Sequence, residues 1–274
     1  LNSKTQVIRR SLTIFAKKRM QLFSNILGEG PEDLIIMHGL FGMGDNWQSL
    51  GRKWSEHFRV HLLDLRNHGR SPHSEDFSYD LMSDDLLEYF NQHHIDEAHI
   101  IGHSMGGKVA MLFAVLHPER CRSMIIADIA PKAYPPHHMD VIDALEALDL
   151  SKISRRSEAN EQFGPKLEPG VRQFLLKNLY WEEKDHLNWR FNLKVLSREI
   201  QKVGESLPPN AYYDRPALFL RGGDSWYIKD EDIDEIQSHY PQAELLTIPN
   251  AGHWLHAQQP ELFFEAVSDF LGGQ

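Results

Sequence analysis

The segment Gly102-His103-Ser104-Met105-Gly106 constrains this chain more than any other. It follows a short apolar run (Ala98, His99, Ile100, Ile101) and precedes a helix-like stretch from Lys108 to His117. A G-x-S-x-G sequence arises often by chance, but between a strand and a helix it has a physical meaning. The chain must reverse sharply there, lifting the serine above the sheet edge in a strained conformation. Glycines on either side remove the Cβ atoms that would collide. Ser104 is therefore the candidate nucleophile.

Around this segment strand and helix signals alternate, the pattern of a mainly parallel sheet covered on both faces. Candidate strands are Met20–Leu27, Leu34–His38, Val60–Leu65, Ala98–Gly102, Ser123–Ile129, Ala217–Arg221 and Leu245–Ile248. Several are near-continuous apolar runs, as strands buried on both faces are. Helical patterns occupy Asn46–Glu56, Ser83–His93, Met105–His117, Ile228–Ser238 and Glu261–Leu271. Between Pro131 and Pro216 the alternation fails. No strand pattern appears there, only helical stretches at Met139–Leu148, Glu158–Phe163, Val171–Asn178 and Phe191–Val203, with prolines clustered at both ends. Such an insert is too long for a plain loop. The expected organisation is a core of residues 20–130 and 217–274 with a helical cap at 131–216. The cap would cover the carboxyl edge of the sheet, where open α/β sheets bind ligands.

The bulk composition narrows the partners. A net charge of −10 argues against nucleic acid or an anionic membrane surface. No apolar stretch approaches the ~18 residues that a membrane helix needs. Cys121 is the only cysteine, so no intramolecular disulfide is possible and a reducing compartment, the cytoplasm, is expected. Residues 1–19 carry Lys4, Arg9, Arg10, Lys17, Lys18 and Arg19 and no acid. Such a basic leader can mimic an organelle transit peptide. It is read here as an upstream extension, with the domain opening at Met20. Oligomeric state is not legible.

A serine hydroxyl is a poor nucleophile until a base takes its proton. Among sixteen histidines, His253 fits best, because Asn250-Ala251-Gly252-His253-Trp254 follows the last strand and precedes the final helix. His38 and His103 sit beside glycines and are read as orienting backbone; His256 is read as a helix-start or surface residue. No H-E-x-x-H spacing or matching carboxylate pattern occurs, so no metal site is expected. The carboxylate that would fix the imidazole tautomer has two candidates. Asp128 ends one strand and Asp224 follows another, in Arg221-Gly222-Gly223-Asp224. Backbone N–H groups of Met105 and Leu40, with Phe41 next in line, are the candidates to bind an oxyanion. The loop His38–Gly44 that holds Leu40 lacks the lysine and glycine spacing of a phosphate cradle. Phe41, Trp189, Trp226 and Trp254 are candidates for an apolar substrate pocket.

These pieces together resemble the serine α/β-hydrolase superfamily, and more narrowly the small YbfF-type bacterial esterases. The resemblance is carried by His38-Gly39-Leu40-Phe41-Gly42, Asp64-Leu65-Arg66-Asn67-His68-Gly69-Arg70-Ser71-Pro72 and Gly102–Lys108. It continues in Asp128-Ile129-Ala130-Pro131, Trp189-Arg190-Phe191-Asn192 and Ala251-Gly252-His253-Trp254, so that only the leader lies outside it. It implies an α/β-hydrolase fold with a mainly parallel eight-stranded sheet, a helical cap before the last two strands, and no cofactor. It also implies that Asp128 is the triad acid; the position matching Asp224 is often Asn in this family, and here it is Asp.

The function expected is hydrolysis of carboxylic esters or acyl thioesters, acyl-CoA included, through an acyl-enzyme on Ser104. Two alternatives share the fold: a C–C bond hydrolase or lyase, and a catalytically silent ligand-binding protein. Dehalogenases and epoxide hydrolases are disfavoured, because they place Asp rather than Ser at the bend. Arg66 and His68 are expected to knit the active-site loops together.

Overall fold

The computed structural model describes residues 20–136, 138–184 and 186–272, so the basic leader 1–19 lies outside the described residues. In chain order the core opens with β1 (Ser24–Leu27), β2 (Glu32–Met37), α1 (Gln48–Trp54) and β3 (Phe58–Leu63). It continues through α2 (Tyr79–Gln92), β4 (Ala98–His103), α3 (Met105–Leu116) and β5 (Cys121–Ala127). An insert then carries α4 (Met139–Glu146), α5 (Arg156–Phe163), α6 (Pro169–Leu176), β6 (Leu179–Glu183), β7 (His186–Trp189), α7 (Leu193–Arg198) and α8 (Ile200–Val203). The core resumes with β8 (Ala217–Gly222), α9 (Ile233–His239), β9 (Ala243–Ile248), α10 (Leu255–Gln258) and α11 (Pro260–Gly272).

The main sheet has the order β1-β3-β2-β4-β5-β8-β9, with β1 antiparallel to β3 and every other pair parallel. Parallel strands joined by helices must be covered on both faces, which explains the apolar runs. On β2, Ile35 and Met37 point into a core shared with α2, α3 and the cap, while Leu34 and Ile36 point into one shared with α1 and α11. All four are fully buried. Helix α2 starts where the Ser78 side chain accepts the N–H of Leu81, satisfying one of the orphan donors of the first turn. No helix among the described residues is long and apolar enough to cross a membrane.

Four expectations need correction. The sheet has seven strands among the described residues, not eight, and the stretch expected as one strand from Met20 is extended only over Ser24–Leu27. Helix is not the only structure between Pro131 and Pro216, because β6 and β7 form an antiparallel hairpin. Its strands are short and half polar, as in Tyr180-Trp181-Glu182-Glu183, which hides the period-two signal. Within the expected helix Phe191–Val203 lie two short ones, Leu193–Arg198 and Ile200–Val203, that break at Glu199.

The loop after β3 braces the structure around the sheet's carboxyl edge. Arg66 and Asp85 are both almost fully buried and form a two-pronged pair at 2.7 and 2.8 Å. Arg66 also donates to the Asp76 and Leu81 carbonyls. Asn67 accepts from the Asn192 N–H and side chain, tying this loop to the insert. Lys108 on α3 is buried and donates to the carbonyls of Pro131, Lys132 and Glu205, at the insert's entrance and exit. Breaking a buried pair from one side strands a charge, so Arg66→Ala should lower unfolding free energy by about 3–5 kcal/mol. Urea denaturation measures this; a loss under about 1 kcal/mol, the scale of a surface pair, would refute the bracing role.

Candidate active site

The bend at Ser104 follows from close packing. β4 ends at His103, α3 begins at Met105, and Ser104 between them has φ 52° and ψ −116°, in the region L-residues rarely adopt. A Cβ on Gly106 would lie 2.6 Å from the carbonyl oxygens of Met37 and His38, and one on Gly102 would lie 2.3 Å from that of Gly106. Both glycines are thus required by close approach of backbone to backbone. The surroundings hold the strain: Ser104 N–H donates to the Ala127 carbonyl of β5, and the Ser104 carbonyl accepts from Lys108 in the first turn of α3.

Asp128 leaves the end of β5 with φ 54° and is fully buried. Its Oδ2 lies 2.8 Å from Nδ1 of His253, which stands in the loop after β9. The Gly222 N–H donates to the other carboxylate oxygen at 3.1 Å, and the Ser225 hydroxyl donates to Oδ2. Burial pushes the Asp128 carboxyl up to about 6, with the Ser225 and Gly222 donors opposing the rise. Asp224 is exposed, and its N–H donates to the Ala251 carbonyl in the loop after β9. Of the two sequence candidates, the structure brings only Asp128 to the imidazole.

Two rings fix His253 further. Tyr227 stacks on it at 3.8 Å with 12° between planes, and His103 donates from Nε2 to the His253 carbonyl at 2.8 Å. Burial holds His103 well below the usual histidine range, so it is a neutral brace.

After β2 the chain turns back at once. The Gly42 N–H donates to the Gly39 carbonyl at 2.9 Å, closing a tight turn around Leu40 and Phe41, and Phe41 has φ 58°. His38 accepts the Leu65 N–H at Nε2, so its proton sits on Nδ1 and is donated to the same Gly39 carbonyl at 2.8 Å. That carbonyl points into the turn, and because a peptide is planar and trans the Leu40 N–H must point outward. Met105, the first residue of α3, has an N–H with no intrahelical acceptor. A Cβ on Gly39 would lie 3.2 Å from that of Ser104, so the turn passes directly beside the serine.

Ser104, His253, Leu40 and Phe41 line one cavity of about 360 Å³ between sheet edge and cap. Trp226 and Trp254 line it as well, Trp226 reaching its mouth with 47% of its surface exposed. Trp189 does not. It is buried in the cap, stacked on Phe191 at 5.1 Å, and lines a separate depression on the cap. Its ring serves cap packing, because β7 turns it inward beside Phe163. Sequence reasoning missed Ser225 and Tyr227, although both lie in the loop just after the Asp224 candidate. His256 stands at a helix start, in the first turn of α10, but is buried against Trp47 at 4.1 Å and lines the cavity rather than the surface. Among the described residues no group of His, Cys, Asp and Glu is placed to hold a metal ion.

The fold and this arrangement define a hydrolase of the carboxylesterase type. The chain belongs to the alpha/beta hydrolase fold family, whose model matches residues 34–156. It is 38% identical over 247 residues to the sn-1-specific diacylglycerol lipase ABHD11 of Mus musculus, covering 87% of this chain and 80% of that protein. Over 257 residues it is 36% identical to Esterase YbfF of Escherichia coli, covering 92% and 97%. Among solved structures, a marine microorganism esterase superposes with a TM-score of 0.89 at 41% identity, covering 92% of this chain and 99% of that one.

Asp128→Asn should lower kcat by roughly 10⁴-fold, the cost of presenting the wrong imidazole tautomer, and Asp224→Asn should leave it nearly unchanged. The reverse order in steady-state assays would transfer the role to Asp224. With the Asp128 carboxyl pushed up to about 6 by burial, kcat/KM should fall as pH drops through about 6. Ser225→Ala removes a donor to the carboxylate and should move that acid limb to higher pH. A limb unmoved by Ser225→Ala would detach it from Asp128.

Proposed function

We propose that this protein is a serine hydrolase that cleaves carboxylic esters bearing an apolar acyl chain. The observation that carries the reading is the hydrogen-bonded His253–Asp128 pair, whose imidazole lines the same apolar cavity as Ser104. In this reading His253 takes the Ser104 proton as Oγ attacks the ester carbonyl carbon. The negative charge that develops on the carbonyl oxygen is met by the Leu40 and Met105 N–H groups. The carbon–oxygen bond to the alcohol breaks, and His253 returns the proton to the leaving oxygen. Water, deprotonated by the same imidazole, then attacks the acyl-enzyme and releases the acid. Asp128 stays ionised and stabilises the imidazolium at each stage. Every proton and electron pair moves among these side chains, water and ester, so the chemistry asks for no cofactor.

Leu40, Phe41, Trp226, Trp254 and the cap residues Val171 and Phe174 give the cavity its apolar wall, which favours acyl chains over polar substrates. The related lipase and esterases support ester cleavage. Acyl-CoA thioesters are the second substrate class; a net charge of −10 works against a polyanionic leaving group. A fluorophosphonate probe should label Ser104, with the adduct located by mass spectrometry and lost in Ser104→Ala. Labelling elsewhere refutes the nucleophile. Across p-nitrophenyl esters of rising chain length, kcat/KM should climb until the cavity fills and then decline, and should exceed that for acyl-CoA of equal length. Faster thioester turnover would replace the substrate class.

A further inference from the structure

Asn178 has no part in the chemistry proposed for the active site, yet its position ties the cap to it. It lies between α6 and β6, fully buried, and its Nδ2 donates to the Phe41 carbonyl at 2.9 Å. The amide orientation is fixed by that contact, since the flipped amide would set two oxygens against each other. In this orientation Oδ1 is buried with no hydrogen-bond partner. An orphaned buried acceptor is destabilising and calls for an explanation.

The explanation lies in what the Phe41 carbonyl belongs to. Its peptide unit ends in the Gly42 N–H, which donates to the Gly39 carbonyl, and the Gly39 peptide unit ends in the Leu40 N–H. Asn178, the Phe41–Gly42 peptide, the Gly39–Leu40 peptide and the oxyanion position thus form a single donor-to-acceptor chain. Such chains polarise one another in a low-dielectric interior. The turn also needs holding. A closed turn with positive φ at its third residue favours glycine, and here that residue is Phe41 at φ 58°. Asn178 grips this strained peptide, and Phe191 packs on the Phe41 ring at 5.0 Å. Asn178's own backbone is anchored through its N–H to Leu175 and its carbonyl to Arg190 N–H. Val171, Phe174 and Leu175 on α6 line the cavity. The helix that lines the cavity therefore ends two residues before the one that holds the turn.

We infer that Asn178 is a positioning residue for the oxyanion hole, acting from the cap through two peptide groups on the Leu40 N–H. This rests on the serine-hydrolase reading and on Leu40 as an oxyanion donor. It makes the cap a working part of transition-state stabilisation as well as a cover.

The test compares Asn178→Asp, which keeps the volume and loses the donor, with Asn178→Ala and Asn178→Ser. Losing a true oxyanion donor costs roughly a hundredfold or more, so losing its support should lower kcat about tenfold. KM for p-nitrophenyl butyrate should stay within about twofold, as for an interaction made only in the transition state. Inhibition by an alkyl boronic acid, whose tetrahedral adduct places an oxygen in the oxyanion site, should weaken by the same factor as kcat. Thermal melting identifies any variant that fails to fold, and the remaining variants then decide. Unchanged kcat, or reduced kcat with unchanged boronate affinity, overturns the inference. Ser104→Ala is assayed in parallel: activity surviving there sinks the serine-hydrolase reading, whereas its loss beside normal Asn178 variants sinks only this inference.

Discussion

A backbone held where L-residues rarely go is the constraint on which the rest of this structure depends. Ser104 at φ 52° presents its side chain at the carboxyl edge of the sheet only because β4 enters the bend and α3 leaves it within one residue. That geometry forces the Met37 and His38 carbonyls against Gly106, leaving no room for a Cβ. It also sets the Met105 N–H free at a helix start, where the helix dipole favours negative charge. One local strain thus supplies both a hydroxyl that faces the cavity and a donor beside it. The cost is met by the sheet, through the Ala127 carbonyl and a core packed on both faces.

The parts that converge on this bend come from the ends of separate strands. The Gly39–Gly42 turn follows β2, Asp128 follows β5, Ser225 and Tyr227 follow β8, and His253 follows β9. A parallel sheet delivers all these ends to one side, which is why residues far apart in sequence meet without long loops. Buried histidines do much of the fastening. His38 joins the Gly39–Gly42 turn to Leu65, and His103 joins the bend to the His253 carbonyl. Burial keeps both below the ordinary histidine range, so neither competes as a base at neutral pH.

Much of this was legible in the sequence because it is local. The strand–Gly-x-Ser-x-Gly–helix order, the glycine-rich turn after β2 and a histidine before the last helices each declare themselves within a dozen residues. The choice between Asp128 and Asp224 was not local. Both follow strands, and only the three-dimensional path of the His253 loop separates the buried carboxylate from the exposed one. The family resemblance pointed to the former before any geometry did. The cap was the least legible part. The hairpin of β6 and β7 has a half-polar pattern, Trp189 turned out to pack inside the cap, and Asn178 sits in a helix-to-strand link with no sequence signature. Residues that act across an interface between cap and core leave no period to read.

The most direct test is a crystal structure of the enzyme inhibited by an alkyl phosphonate. The expected result is a covalent bond to Ser104 Oγ, His253 within hydrogen-bonding reach of it, and a phosphonyl oxygen roughly 2.7–3.1 Å from both the Leu40 and Met105 nitrogens. An adduct on Ser104 whose oxygen faces solvent, or one whose partner base is a different histidine, would contradict it.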